Sequence, residues 1–141
     1  MTRTENIVTF RRPDAKALNI EIIRHTPGQT NRHKPQGRHR HNFHAILFIQ
    51  AGGGRQEIDL DIFSLAPQQV VIIPKGAIHQ ELESLNIVGY EILFTDEFFS
   101  DAQRQLLVGF LQHAIALRKL QVQVPTQEMS TLNHYFELLF Q

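Results

Sequence analysis

Apolar positions along this chain change their period near residue 100. Before that point, short runs rich in Ile, Val, Leu and Phe are separated by turn residues. The pattern predicts strands over residues 19–25, 41–50, 56–63, 69–73, 79–83 and 86–95. Pro27-Gly28, Gly52-Gly53-Gly54, Ala66-Pro67 and Pro74-Lys75-Gly76 supply the punctuation, and the glycine triplet reads as a hairpin turn. Residues 55–62 alternate polar and apolar, as on a strand with one face on a core and the other in water, so Asp59 and Asp61 are expected in solvent. Residues 43–49 and 70–73 are apolar on both parities, which fits strands that line a barrel and are covered outside. Many short strands without a βαβ rhythm predict a mainly β, antiparallel sandwich or barrel.

Beyond Thr95 the period becomes helical. Ser100 and Gln103 have capping-box spacing, with Asp101 in the first turn. Leu107, Phe110, Leu111, Ala114 and Leu117 then mark a helix running to about Lys119. An extended link over 120–124 ends at Pro125, and Thr126 is placed to cap a second helix carrying the stripe Met129, Leu132, Phe136, Leu139 and Phe140. This stripe either packs on the barrel's own outer face or, left partly uncovered on a lone barrel, supplies the surface for association with a second copy. No C-cap follows it, and the chain is expected to be the front part of a longer polypeptide. The division is therefore one domain over 1–141, with a barrel at about 6–99 and a helical part at about 100–141.

Composition narrows the chemistry. A length of 141 residues suits one hydrophobic core, and no apolar run approaches the roughly 18 residues needed to cross a bilayer. Fourteen Lys and Arg balance fourteen Asp and Glu, so the strong basic field of a self-sufficient nucleic-acid binder is missing. Cysteine is absent, which removes disulfides, thiolate metal sites and a cysteine nucleophile. The first residues contain no secretory h-region, which makes the cytoplasm the default location. Between Glu21 and Glu57 there is no acid, while Arg24, Arg32, Lys34, Arg38, Arg40 and Arg55 fall there. That stretch is either a solvated basic loop or a mouth that attracts an anionic small molecule.

Eight histidines make metal or hydrogen-bond chemistry the open question. His39 and His41 lie two apart at the entry to a strand and so share a face. His79 follows the rigid Pro74-Lys75-Gly76 turn at the start of another strand, and three imidazoles converge if both strands line one cavity. His44 has the opposite parity and is expected outside that cavity. His25, His33, His113 and His134 lack partner spacing and read as surface or boundary residues. Ser64, Ser84 and Ser100 sit at turn or cap positions and no G-x-S-x-G occurs, so no hydrolase triad is visible. The glycine triplet lacks the Lys-Ser/Thr and the helix of a phosphate-binding loop.

Gly37-Arg38-His39-Arg40-His41, the glycines at 52–54 and Pro74-Lys75-Gly76-Ala77-Ile78-His79 resemble the two motifs of the cupin superfamily. Residues 39–49, 73–79 and 89–98, in that order, resemble more narrowly the amino-terminal sensor domain of AraC-type transcriptional regulators. The resemblance covers about residues 19–141. It implies a cupin double-stranded β-barrel of jelly-roll type followed by two helices used for dimerisation. It further implies a small-molecule effector bound inside the barrel; the acid-free stretch with Arg24, Arg38 and Arg40 favours an anionic or polar compound, with a sugar as the other option. Contact with DNA would belong to a helix-turn-helix region not matched within this chain.

On this reading the chain is not an enzyme. The effector site is expected at His39, His41, Phe43, His79, Tyr90, Glu91, Arg24 and Arg38. The sensor domains resembled generally work without a metal. The alternative is a stand-alone metal-dependent cupin dioxygenase or isomerase, with Zn, Ni, Cu or Fe on His39, His41 and His79. Two positions depart from the motifs: Ala45 stands where metal-binding cupins carry a glutamate, and Gln68 where a glycine is expected. Without the glutamate a metal would be left with three neutral imidazoles.

Overall fold

The computed structural model describes the backbone of residues 8–10 and all of residues 20–27 and 37–140. Asn19, Gly28, Arg32, His33 and Lys34, singled out above, lie outside the described residues. The strands are β1 (Val8–Phe10), β2 (Ile20–His25), β3 (His39–His41), β4 (His44–Ile58), β5 (Asp61–Leu65), β6 (Gln69–Ile73) and β7 (His79–Phe94). A single 3-10 turn, Asp96–Phe98, then leads into α1 (Asp101–Ala116), β8 (Gln121–Gln123) and α2 (Thr126–Phe140). The fold is mainly β and antiparallel with two C-terminal helices, as the sequence predicts.

Two long strands organise it. β4 and β7 pair antiparallel from His44 opposite Phe94 to Ile58 opposite His79. On the half of β4 near His44, β2 adds to β7, β6 adds to β4, and β8 adds outside β6. On the half near Ile58, β5 pairs with β4 and β3 with β7, and β1 runs parallel to β3. The β4–β7 register slips around Ile49–Ala51, Ala51–Gly53 and Arg55–Gln56, the bulged stretch where a long strand pair can bend. Ala45, Leu47 and Ile49 from one half pack in a single apolar cluster with Ile58 and Leu65 from the other and with Val71 and Ile73 of β6. The two halves therefore enclose one core, and odd-numbered residues of the first half of β4 point into it.

The bend explains a misplaced turn. Gly52-Gly53-Gly54 is no hairpin but lies inside β4, and β7 runs unbroken where a gap between residues 83 and 86 was expected. A Cβ on Gly54 would collide with the Glu83 carbonyl, and one on Gly52 with that of Asn86. The glycines are required because two backbones close on each other there. The real β4–β5 hairpin turns at Asp59-Leu60, both with positive φ (47° and 73°), inside what the alternation at 55–62 read as one strand. Gln68, where a glycine was expected, also takes a positive φ (66°), and its backbone is held by Ile49 and Val124.

The helices keep most of their expected boundaries. Ser100 and Gln103 form the reciprocal capping box, and α1 gives way at Leu117 to Arg118 in the left-handed region (φ 56°). Only Leu111 and Ala114 of α1 are buried, while Phe110 and Leu117 of the predicted stripe are exposed. The link between the helices returns to the sheet as β8, so the helical part is stitched into the barrel. Thr126 is the first residue of α2, and its hydroxyl donates to Gln68 Oε1.

Candidate functional site

The three histidines predicted to converge do converge. His39 of β3 sits directly opposite His79 of β7 in the strand register, and His41 follows on the same face. Ring centroids lie 4.2 Å apart for His39–His79, 4.5 Å for His41–His79 and 4.9 Å for His39–His41. His39 and His79 are buried and His41 half-buried, and Phe43 stacks on His41 at 4.5 Å. His39 and His79 each meet a polar neighbour. His39 Nδ1 donates to the Gly37 carbonyl at 2.8 Å, and Gln56 Nε2 meets His79 Nδ1 at 3.0 Å.

The turn that presents His79 is tied down at several points. Gly76 adopts φ 83°, and its N–H donates to the His41 carbonyl. Ile78 N–H donates to Asp59 Oδ1 at 2.9 Å, while Asp59 N–H donates to the Ile78 carbonyl at 2.8 Å. Asp59 is exposed, as expected, but it lies in the turn after β4 and not in a strand, and its carboxylate holds the segment that presents His79. Lys75 N–H donates to His44 Nδ1 at 3.0 Å, which leaves His44 Nε2–H to donate to Asp96 Oδ1 at 2.8 Å. The Lys75 ammonium closes the triangle on Asp96 Oδ2. Burial alone would raise the Asp96 carboxyl, but hydrogen bonds from Lys75 and His44 outweigh it and hold the group below its ordinary range. His44 lies on the outer parity, as expected, and it anchors the turn from there.

The cluster fits a divalent ion by donor chemistry. Three imidazole nitrogens, one from each of His39, His41 and His79, lie within 4.8 Å of one another. A tetrahedral ion with bonds of about 2.0 Å would draw its nitrogens to roughly 3.3 Å, so binding asks the rings to close by somewhat more than an ångström. The donation of His39 Nδ1 to a carbonyl leaves its Nε2 lone pair available, the usual arrangement for a ligating imidazole. Ala45 is fully buried in the apolar core between Ile73 and Leu93, so that position contributes packing and no ligand.

Other residues expected at the site are elsewhere. Tyr90 does not face the barrel interior; it is buried on the outer side with Phe48 and Phe136, and its hydroxyl donates to Glu137 of α2. Arg24 lies there too, its guanidinium 5.8 Å from the Tyr90 ring centroid and 4.0 Å from Glu137. Arg38 is engaged by Glu57, with Nε to Oε1 at 2.8 Å, so its charge is balanced within the fold. Glu91 does have the inward parity, opposite Leu47 and Ile23, and accepts from His25 Nε2 at 3.2 Å. His25 is therefore no isolated boundary residue. Met129, Leu132 and Phe136 pack on this chain's own barrel, while Leu139 and Phe140 are exposed.

Sequence reasoning missed Gln56 and Glu57. Both are buried at the end of β4, where Gln56 supports His79, and Glu57 holds Arg38 and accepts weakly from Gln80. Their polar identity within an alternating run made them look solvated.

No protein-family model matches the sequence, and no curated relative matches it. Among solved structures, a cupin protein from Bacteroides fragilis is similar at 17% identity and TM-score 0.36, covering 54% of this chain and 63% of that one. A conserved protein of unknown function from Streptococcus pyogenes is similar at 14% identity and TM-score 0.41, covering 67% of this chain and 90% of that one. No helix among the described residues is long and apolar enough to cross a membrane.

Proposed function

We propose that this chain is a cupin-type sensor module that binds a small polar molecule at the His39–His41–His79 cluster, in the manner of the AraC-type sensor domains it resembles. The observation that carries the reading is the meeting of three imidazoles from two segments far apart in sequence, two of them buried, at the edge of the apolar core. Burying such groups is costly unless they are satisfied, so a fold that gathers three of them has a use for their donors and acceptors. Glu91 with His25 adds a second polar pair of inward parity that an effector with several hydroxyls would meet.

A divalent transition ion is the inorganic version of the same ligand. His39, His41 and His79 would hold it, and it would supply a Lewis acid able to polarise an effector oxygen. The helical part would carry association with a second copy. Exposed apolar side chains there include Leu106 and Phe110 on α1, Leu117 just after it, and Leu138 and Leu139 near the end of α2. In a regulator, DNA contact would fall to a helix-turn-helix region outside the segments described here.

The test is a thermal-shift screen of sugars, organic acids, Zn²⁺ and Ni²⁺ on the wild-type chain and on His79→Ala. A ligand that stabilises the wild type and loses about tenfold or more in affinity with His79→Ala supports the reading. Equal binding to both proteins overturns it.

A further inference from the structure

We infer that Gln56 is a positioning residue that sets which nitrogen of His79 carries the proton, and thereby selects between an organic hydrogen-bonding ligand and a metal ion. The inference deepens the proposed binding site and rests on it. A neutral imidazole has one N–H and one lone pair, and the group facing one nitrogen decides the role of the other. For His39 the choice is fixed, because the Gly37 carbonyl can only accept; Nδ1 is the N–H, and Nε2 offers a lone pair.

His79 is different, because its Nδ1 neighbour is a side-chain amide that carries both a donor and an acceptor. With Gln56 Nε2 directed at Nδ1, as found at 3.0 Å, the amide donates and His79 Nε2 becomes the N–H. His39 and His79 then present one acceptor and one donor, 4.2 Å apart by ring centroid, which matches a hydroxyl or a protonated acid and opposes a cation. With the amide rotated by half a turn, Oε1 accepts from Nδ1–H and His79 Nε2 becomes a second lone pair. The cluster then meets the requirement for a metal. Gln56 is buried and uncharged, and it reaches His79 diagonally because Ile58 is the residue directly opposite it in the register. An ionised glutamate there could only accept.

The experiment uses the whole 141-residue chain labelled with ¹⁵N-histidine, and Zn²⁺ alone as the probe. Long-range ¹H–¹⁵N spectra of the metal-free wild type are expected to show His79 with its proton on Nε2, and Gln56→Glu to move it to Nδ1. Zn²⁺ titration is expected to be at least about tenfold tighter for Gln56→Glu than for wild type, the scale on which outer partners of ligating histidines act. The added carboxylate charge could tighten Zn²⁺ by itself, but it would not exchange the tautomer, so the spectra separate the two causes. A His79 tautomer that is the same in wild type and Gln56→Glu overturns the inference. So does a proton already on Nδ1 in the metal-free wild type, a result that needs no variant to fold. Failure of the wild type to take up Zn²⁺ counts against the metal form of the binding site alone, since the tautomer comparison is made without metal.

Discussion

His39 and His79 face each other as the single register pair that joins β3 to β7, and their rings stand 4.2 Å apart. β3 has only three residues, so this contact depends on what fixes each side of it. On one side is the Gly37 carbonyl beneath His39; on the other are Gln56 and the Pro74-Lys75-Gly76 turn behind His79. Most of the restraint on the cluster lies outside the histidines themselves.

The anchor at Asp96 gives a pH-dependent prediction. Its carboxyl is held below the ordinary range in the folded chain, so it stabilises the fold at pH values above its unfolded pKa. That contribution is lost as the pH falls through the ordinary carboxylate range toward the depressed folded value. Asp96→Asn is expected to lower stability at neutral pH by about 1–2 kcal/mol, through weakened bonds to His44 and Lys75. Urea unfolding between pH 7 and pH 3 should show a shallower loss for the variant than for wild type; parallel curves would contradict the assignment.

The seat of α2 on the barrel is predicted to depend on Phe136. Its ring is parallel to Phe48 at 4.9 Å and to Tyr90 at 5.4 Å, and it is buried between barrel and helix. Phe136→Ala should cost about 3–5 kcal/mol. Hydrogen exchange should accelerate in α2 before it does in β4 or β7.

At Gly89 the expectation is backbone collision. A Cβ there would overlap the Phe48 carbonyl oxygen across the β4–β7 pairing, and that atom cannot move without breaking the ladder. Gly89→Ala should lower stability by about 3 kcal/mol or more, whereas Gly76→Ala, which meets nothing within 4 Å, should lose less and only through its positive φ. Denaturation midpoints of the two variants check the order.

Association is expected to use the outer face of α1. Leu106 is 76% exposed and Phe110 58%, whereas Leu132 and Phe136 are committed to the chain's own barrel. In sedimentation, Phe110→Asp should shift a dimer toward monomer with an unchanged unfolding midpoint at low concentration. Phe136→Asp should unfold the helix instead. A wild type that is monomeric at high concentration would remove the association proposal.

The histidines were legible because strand parity ties His39 to His41 and a proline-glycine turn is hard to mistake before His79. Gln56 and Glu57 were hidden by the turn at Asp59-Leu60, where two non-glycine residues take positive φ and leave no composition signal. The glycines at 52–54 advertised a turn but serve close backbone approach, a tertiary demand that local sequence does not separate from a hairpin. Tyr90 and Glu91 are adjacent on β7 and point to opposite sides. Which one faced inward depended on the register with Leu47 and Phe48, which no single strand reveals.

The most direct test of the binding-site claim follows the imidazole ¹⁵N resonances of the chain during titration with ligands found by thermal shift. A stabilising ligand is expected to move the His39, His41 and His79 signals together, leave His113 and His134 in place, and lose its effect with His79→Ala. A ligand that stabilises the protein while those three signals stay fixed would contradict that claim.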